Sequence, residues 1–280
     1  MILIATAGKV GSEAARLLTQ HQVPVRVLVR DPKKGEELAH AGAEIVVGDL
    51  DVPESINEAM ADASAIVLVS HAVPAQELNV IGSAARAGVE HVVKATNKAS
   101  ADSPIARRRG QTEIEAGLAA SGLAYTLLRS NAYMQNTLLL GPVIAKRSSF
   151  GSSAGKGLAG MVDSRDVGAV AAEIAASPAS HAGKTYWLSG PESISNYDVA
   201  DVLSRLLGRT ITYQELSFDE HKSAMVSAGL PEAIAEQNAQ AFSLTAEGDA
   251  EWVSDDVQAI LERKARSYEQ FAADYAAAFS

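Results

Sequence analysis

The stretch that decides the fold lies at the start of the chain and reads Ile2-Leu3-Ile4-Ala5-Thr6-Ala7-Gly8-Lys9-Val10-Gly11. An apolar run, predicted to be a strand, passes through a glycine-containing turn into a helix-like stretch. A dinucleotide-binding turn needs glycine where the backbone approaches the pyrophosphate and where the helix packs on the strand. Gly8 and Gly11 supply these two places, and the helix start would offer free N–H groups to the phosphates. The alternative is a turn that needs glycine only for packing.

The first 130 residues alternate between short apolar runs and helix-like stretches. The predicted strands are 2–5, 23–29, 43–47, 65–70, 91–95 and 125–128, and the predicted helices are 11–21, 34–41, 53–61, 75–87 and 112–120. Such alternation predicts an α/β fold with a Rossmann-type, doubly wound parallel sheet. Right-handed crossovers would bring the segments 5–11, 30–34 and 70–75 to the carboxyl edge of that sheet, where ligands bind.

The second half is less regular and predicts a smaller, mostly helical C-terminal domain. Residues 148–160 are rich in serine and glycine, and we interpret them as a loop or mobile flap, either a plain linker or a functional segment. Further elements are a helix over 164–176 with Ser164 as candidate cap, a strand over 185–188, a helix over 196–207, an extended segment over 211–214 and helices from 218 onward. We expect a Rossmann domain over 1–147, to which 161–190 returns, and a substrate-binding domain over 191–280, interleaved with the first.

Composition excludes several classes of protein. The 280 residues are 47% hydrophobic and 21% charged, which is ordinary globular usage and argues against disorder. The formal net charge of −10 makes nucleic acid a poor partner, because that surface is itself an anion. No apolar run reaches the roughly 18 residues of a membrane helix. The chain begins without a basic leader segment, so we expect a cytoplasmic protein.

Metal and thiol chemistry have little support. Cysteine is absent, which excludes disulfides and thiolate ligands, and the six histidines show no metal-ligand spacing. We therefore predict no metal site. Arg107-Arg108-Arg109 is interpreted as a solvated face before the 112–120 helix, with contact to a substrate anion or a partner as the minority alternative. Asp255 and Asp256 are interpreted as a helix cap and a first-turn charge.

The end of the second predicted strand indicates which dinucleotide is bound. An acidic residue at this place would hold a ribose 2′-hydroxyl and favour NAD(H). The chain instead has Arg30, whose planar guanidinium suits a 2′-phosphate, with Lys34 adding charge. We therefore predict a preference for NADP(H), while Asp31 keeps NAD(H) open and a solvated loop remains the alternative. Asp49, after the third strand, could accept from the adenine amino group or cap the next segment.

Several stretches together resemble a known family. They are Gly8–Gly11, Val29-Arg30-Asp31-Pro32, Gly48-Asp49, 127–131, 133–136, 163–167, 183–186 and 228–231. In this order and spacing, which covers nearly the whole chain, they resemble NmrA-like, atypical short-chain dehydrogenase/reductases, nearest the quinone-oxidoreductase and triphenylmethane-reductase branch. The resemblance implies a Rossmann domain, a small C-terminal domain and an active cleft between them. Some members reduce quinones or dyes with NADPH, whereas others act as redox-sensing regulators.

The chain departs from this pattern at four positions. Ala5 stands where glycine is usual, Ser130 where many relatives have proline, Gln111 where several carry histidine, and Lys94 where some carry tyrosine. Orthodox short-chain reductases protonate an alkoxide with a tyrosine that has lysine four residues later, and no tyrosine here has that neighbour. A quinone needs such help less than a ketone, because hydride addition yields a less basic aryloxide. The pattern therefore favours a quinone-like, conjugated acceptor.

Candidate site residues follow from their places at the carboxyl edge. The predicted catalytic residues are Lys94, Asn97 and Tyr133. The predicted cofactor-binding residues are Thr6, Gly8, Lys9, Val10, Gly11, Arg30, Lys34, Asp49, Leu50, Ser70, His71, Ala72, Lys94 and Asn131. Three of these have plainer interpretations: Lys94 as a surface salt bridge, His71 as a loop histidine bonded to backbone, and Tyr133 as packing between domains.

We therefore predict an NAD(P)H-dependent reductase that transfers hydride to a quinone-like or polycyclic aromatic ketone substrate. A tailoring step in aromatic polyketide biosynthesis is a special case of this prediction. Two other classes stay open: a regulatory protein that senses NAD(P) without turnover, and a cofactor-dependent partner in an oxygenation cascade. The expected partner is a planar aromatic small molecule, with a homodimer or a pathway protein as further options.

Overall fold

Alternate apolar residues of the first strand are buried on opposite faces of a parallel sheet. The computed structural model describes all 280 residues. The strands are β1 (Ile2–Ile4), β2 (Val25–Val29), β3 (Glu44–Val47), β4 (Ala65–Leu68), β5 (His91–Thr96), β6 (Ala124–Ser130), β7 (Ser149–Ser152), β8 (Leu158–Ala159), β9 (Thr185–Leu188), β10 (Ile194–Ser195) and β11 (Thr212–Glu215). Seven of them form one sheet in the order β3-β2-β1-β4-β5-β6-β9, and every neighbouring pair is parallel. The expected doubly wound α/β class is confirmed.

Twelve helices accompany these strands. They are α1 (Lys9–Gln20), α2 (Glu36–His40), α3 (Pro53–Ala59), α4 (Pro74–Ala87), α5 (Ala106–Ala120), α6 (Gly141–Arg147), α7 (Ser164–Ala176), α8 (Asn196–Leu207), α9 (Phe218–Ser227), α10 (Glu232–Ala246), α11 (Asp256–Leu261) and α12 (Tyr268–Asp274). Short 3-10 turns occupy Pro32–Gly35, Met134–Leu140, Pro178–His181 and Ala276–Ala278. None of the helices is both long and apolar enough to cross a bilayer.

Two apolar layers cover the main sheet. One face packs against α1, α7 and α11, and the other packs against α3, α4 and α5. Because both faces are covered, β1, β2, β4 and β5 are buried along their whole length. The segment after residue 160 lies on the same sheet: α7 packs on α1, and β9 pairs with β6 at the sheet edge.

A third apolar cluster holds the C-terminal part together. It joins α6, β7, α8, β11 and α12, with Tyr268 and Phe271 among its buried aromatic rings. The strands of this part pair across long stretches of chain, β7 with β11 and β8 with β10. Residues 148–160 therefore contain two short strands, where the sequence predicted only a loop or flap. Their pairing is nonlocal, so it left no local sequence signal.

The starts of α1 and α5 and the cap of α7 differ from the predictions. Helix α1 begins at Lys9, directly after Gly8, and α5 begins at Ala106 rather than at 112. The Ala-Arg-Arg-Arg run has good helix propensity, and Gly110 had obscured it. Helix α7 is capped by Asp163, whose carboxylate accepts from the Arg165 N–H, so Ser164 is the first helical residue.

Candidate active site

The glycine turn forms an open anion cradle at the switch point between β1 and β4. Gly8 is the N-cap of α1, no side chain caps this helix, and its first turn carries no acidic residue. A Cβ on Gly11 would overlap the carbonyl oxygen of Thr6, which explains the need for glycine there. The Thr6 hydroxyl donates to the Val69 carbonyl at 2.7 Å and fastens the turn to the end of β4. The free N–H groups and the helix dipole at this place suit a pyrophosphate.

The alanine in place of the usual first glycine lies directly after β1 and is still hydrogen-bonded to the end of β4. The Ala5 N–H donates to the Val67 carbonyl at 3.0 Å, and the Ala5 side chain is buried in the sheet. This departure from the family pattern leaves the cradle at Gly8 open.

The end of β2 presents exposed cations, and one oxygen of its acid is engaged in a local turn. One carboxylate oxygen of Asp31 accepts from the Lys33 N–H at 3.0 Å and caps the short turn that follows. The side chains of Arg30 and Lys34 are exposed and make no ion pair. The open guanidinium of Arg30 favours a 2′-phosphate over a 2′-hydroxyl at this position.

The end of β3 offers apolar surface beside a local turn. Asp49 accepts from the Asp51 N–H at 3.0 Å, so the structure shows the capping alternative for this carboxylate. Leu50 is buried, and its carbonyl accepts from Asn79. Val47 and Val52 stand 55% and 46% exposed on either side, a flat apolar edge suited to a ring such as adenine.

The loop after β4 is tied down by a buried acid that sequence reasoning missed. The Ser70 hydroxyl donates to Glu77 Oε1 at 2.6 Å, and it also accepts from the Ala72 N–H at 3.3 Å. Ala72 has a left-handed backbone with φ of +58°, and His71 is exposed. Glu77 lies in the first turn of α4 and is fully buried. The only sequence signal was an acid in a helix that follows a strand-end serine.

Lys94 does not lie where direct catalysis requires. Its ammonium is fully buried between the sheet and α4, 2.8 Å from Glu77 Oε2 and 3.1 Å from Glu77 Oε1. It also donates to the Ala95 carbonyl at 2.6 Å. Burial lowers the pKa of Lys94, and the Glu77 carboxylate partly offsets this. The predicted catalytic and cofactor-binding roles of Lys94 both disagree with this placement, and so does its interpretation as a surface salt bridge.

Asn131 also serves the fold rather than a ligand. Its amide donates to the carbonyls of Ala250 and Trp252 at 3.0 and 3.2 Å, and its side-chain oxygen accepts from the Ala132 N–H. Its hydrogen-bonding groups are therefore occupied, and the predicted cofactor contact through this side chain is not supported. The partners come from the distant segment 247–252, which the sequence could not place beside β6.

Some other polar groups near the ends of β5 and β6 lack partners or lie in apolar surroundings. The side-chain oxygens of Asn97 and Gln111 are buried without hydrogen-bond partners. Burial raises the pKa of the Tyr133 phenol, an effect that the neighbouring Ser130 hydroxyl partly offsets. Tyr133 also packs against the apolar layer of the sheet. Buried oxygens without partners mark places where a ligand or water would complete the hydrogen bonding.

The basic run on α5 fastens the C-terminal part to the sheet. Arg108 and Lys98 each contact Asp249 at 2.6 Å, and Arg107 donates to Asn238 on α10 at 3.1 Å. Both cations together hold the pKa of Asp249 below its usual range, although burial opposes them. The expected solvated face is therefore wrong for Arg107 and Arg108. With Asn131, these contacts hold the segment 247–252, called here the C-terminal strap, beside the ends of β5 and β6.

A second acidic pair also differs in detail from its predicted role. Asp256 accepts from the Trp187 N–H at 2.7 Å, so it links α11 to β9, and Asp255 makes no side-chain cap. The first-turn charge is present and the side-chain cap is not. No group of three histidine, aspartate or glutamate side chains is arranged to hold a metal ion.

Comparisons with known proteins agree with this geometry. The chain is 32% identical to an NAD(P)H azoreductase of Xenophilus azovorans, across 100% of this chain and 99% of that protein. It is 33% identical to a (4-alkanoyl-5-oxo-2,5-dihydrofuran-3-yl)methyl phosphate reductase of Streptomyces griseus, across 100% and 99%. Among solved structures, an NADPH-dependent quinone oxidoreductase of Escherichia coli in complex with NADPH superposes with a TM-score of 0.89 at 27% identity, over 98% and 99% of the two chains.

The match to the family model spans most of the chain. The model of the NmrA-like family matches residues 1–272, which contain both the glycine turn and the C-terminal strap. The resemblance drawn from separate motifs is thereby confirmed. The chain belongs to the NmrA-like family.

Proposed function

We propose that this protein transfers hydride from NADPH to a flat, conjugated acceptor of the quinone-like or polycyclic aromatic ketone type. The chain is an NAD(P)H-dependent oxidoreductase, with NADP(H) preferred and NAD(H) as an alternative. The finer proposal rests on one observation: both lysines at the end of β5 are engaged within the protein. Lys94 is held by Glu77, and Lys98 is held by Asp249.

The residues present fit the cofactor. The uncapped start of α1 gives the phosphates N–H donors. The space beside Gly8 is open, because an added Cβ would meet only Thr6 Oγ1, at 3.8 Å, and this leaves room for the phosphates. Arg30 and Lys34 would hold the 2′-phosphate, and the exposed valines at the end of β3 would pack on adenine. The remaining half of the dinucleotide would then extend across β4, beside Ser70, His71 and Ala72.

The chemistry assigned to the protein is orientation and exclusion of water. NADP(H) supplies the hydride when bound. Asn97 and Tyr133 lie at the ends of the two strands beside which an acceptor ring would sit, and the C-terminal strap covers this region. The phenol of Tyr133, whose pKa burial raises, would donate one hydrogen bond to an acceptor oxygen. Such help suffices for a quinone, because its reduced form is only weakly basic.

The names of the relatives suggest the range of acceptors. One relative is named for azo reduction, another for reduction of an unsaturated furanone phosphate, and the structural neighbour for quinone reduction. All three acceptors are conjugated systems, which fits a site that relies on hydride delivery more than on acid catalysis. A tailoring reaction on an aromatic polyketide would be one case of this chemistry.

Absorbance at 340 nm tests the proposal directly. Wild-type protein is mixed with NADPH alone and then with a panel of naphthoquinones, anthraquinones and an azo dye. We expect NADPH to be consumed only with acceptor, and the rate to be abolished in the Gly8→Asp/Arg30→Glu double variant. Tight NADPH binding without consumption by any acceptor would contradict the proposal and favour a regulatory protein that senses the dinucleotide.

A further inference from the structure

A buried ion pair lies directly behind the loop that the proposed function places beside the nicotinamide half of the cofactor. The sheet order places the glycine turn on β1 and the adenosine-binding groups on β2 and β3. A dinucleotide that crosses the switch point must therefore extend its second half over β4 and β5. The loop from Ser70 to Ala72 follows β4, and Glu77 and Lys94 lie beneath it with no exposed side-chain surface.

The charges of this pair follow from its contacts. Lys94 Nζ donates to Glu77 Oε1 and to the carbonyl of Ala95, and it lies 2.8 Å from Glu77 Oε2 in an ion-pair contact, so an ammonium is paired with a carboxylate. Glu77 is then a carboxylate and can only accept. The Ser70 hydroxyl, 2.6 Å away, must donate its single proton inward to Glu77.

This arrangement leaves Ser70 with one way to meet a ligand. One lone pair of its oxygen accepts from the Ala72 N–H, which holds the loop in its left-handed turn. The other lone pair stays available, and no proton is left to donate. We infer that Glu77 and Lys94 are positioning residues that make Ser70 a pure hydrogen-bond acceptor, which recognises a donor on the nicotinamide half of NADPH.

A gain in stability does not explain why this ion pair is buried. Two ions removed from water at this depth lose solvation that their attraction barely repays, and apolar residues of similar size would be as stable. Without the ammonium, the buried Glu77 would take up a proton and donate it to Ser70. The hydroxyl would then turn outward as a donor and meet the ligand donor with the wrong polarity.

Binding of a half-ligand separates this role from a general structural one. Affinities for NADPH and for 2′,5′-ADP, which carries only the adenosine half, are measured by isothermal titration for Ser70→Ala, Lys94→Met and the double variant. Each single change should weaken NADPH about tenfold, the size of one hydrogen bond. The affinity for 2′,5′-ADP should stay within about twofold of wild type. The double variant should lose no more than either single one, because both changes remove the same contact.

Arg26→Met provides the matched control. Arg26 is a largely buried cation that forms an ion pair with the exposed Glu44, near the opposite edge of the sheet. Its loss should lower the thermal midpoint, as that of Lys94→Met does, and leave both affinities unchanged. Equal weakening of both ligands by Lys94→Met, additive losses in the double variant, or an unchanged NADPH affinity in Ser70→Ala would each overturn the inference. If Lys94→Met does not fold, Ser70→Ala alone decides. If wild-type protein binds neither ligand, the assigned cofactor itself is wrong.

Discussion

The two halves of the ligand edge treat their polar groups in opposite ways. Along β1–β3, donors and cations stay open: the start of α1 is uncapped, and Arg30 is exposed without an ion pair. Along β4–β6, the polar side chains are mostly occupied within the protein, as in the pairs Lys94 with Glu77 and Asn131 with the C-terminal strap. The half along β1–β3 leaves donors and cations free to bind a charged ligand. The half along β4–β6 uses most of its polar groups to hold the protein's own segments in place.

We expect the largest effect from a substitution that fills the glycine turn after β1. Gly11→Ala would place a Cβ onto the Thr6 carbonyl, so α1 must shift away from the phosphate position. Because a misplacement of about 1 Å can cost roughly a hundredfold, we expect NADPH affinity to fall at least that far. Titration of intrinsic fluorescence with NADPH measures the effect.

Gly82→Ala is the control for this change. Gly82 lies inside α4, where an added Cβ makes only ordinary contact with Arg86, so alanine should raise stability slightly and leave NADPH affinity unchanged. Equal NADPH affinity in the Gly11→Ala variant and wild type would show that the glycine turn is not part of the NADPH site.

Charge reversal at the end of β2 tests whether the open cations select the dinucleotide. In Arg30→Glu a charge-assisted contact to the 2′-phosphate is replaced by repulsion, so NADPH should bind roughly tenfold to a hundredfold more weakly. NADH lacks that phosphate and serves as the internal control, with affinity near the wild-type value. Equal losses for both dinucleotides would place the 2′-phosphate elsewhere.

Loosening the C-terminal strap tests the second half. Asp249→Asn removes the ion pairs with Lys98 and Arg108 and should cost about 1 kcal/mol of stability, since the pairs are partly exposed. We expect the KM for a quinone to rise several-fold while NADPH affinity stays unchanged, because only the acceptor half is covered by this strap. Asp274→Asn removes a surface ion pair with Arg165 and should change stability alone. A shift in NADPH affinity without any change in KM would contradict the division into two halves.

The last expected effect concerns the pH dependence of stability rather than ligand binding. His221 is buried against Ser153, whose N–H donates to its ring nitrogen, and burial lowers the pKa of His221 to about 4. An unfolded histidine has a pKa of about 6.5, so the unfolded state binds more protons between these values. The contribution of His221 to the free energy of unfolding should therefore be fully present above pH 6.5. It should fall by on the order of 2 kcal/mol as the pH is lowered toward 4.

His221→Gln isolates this contribution. Urea denaturation between pH 4 and 7 should show a flatter slope in the variant. A slope remains, because burial also lowers the pKa of His91 and His181. Identical slopes for the variant and wild type would show that His221 does not couple protonation to folding.

The same contrast explains how far the sequence could be interpreted. The α/β alternation and the glycine turn are local patterns, and the predicted strand over 185–188 coincides with β9. The open groups of the cofactor half are local as well, since Arg30 follows its strand directly. The roles of Lys94 and Asn131 depend on Glu77, 17 residues away, and on Ala250, 119 residues away, so position along a strand alone could not reveal them.

Arg107 and Arg108 show a second limit of prediction from the sequence alone. A run of cations in an acidic chain is ordinarily solvated, and only the fold brings Asn238 and Asp249 against it. The helix start was also placed six residues too late, which separated the run from α5. Both errors come from treating the residues between two predicted elements as solvent-facing.

The packing of α7 on α1 has a consequence for how the chain is made. The face of α1 that carries Ala14 and Leu18 is covered by residues that the ribosome adds some 150 positions later, and the edge of β6 waits for β9. A fragment that stops at 147 would expose an apolar helix face and an unpaired strand edge, both of which invite aggregation. During synthesis, the nascent dinucleotide-binding half therefore stays incomplete until the chain has passed β9.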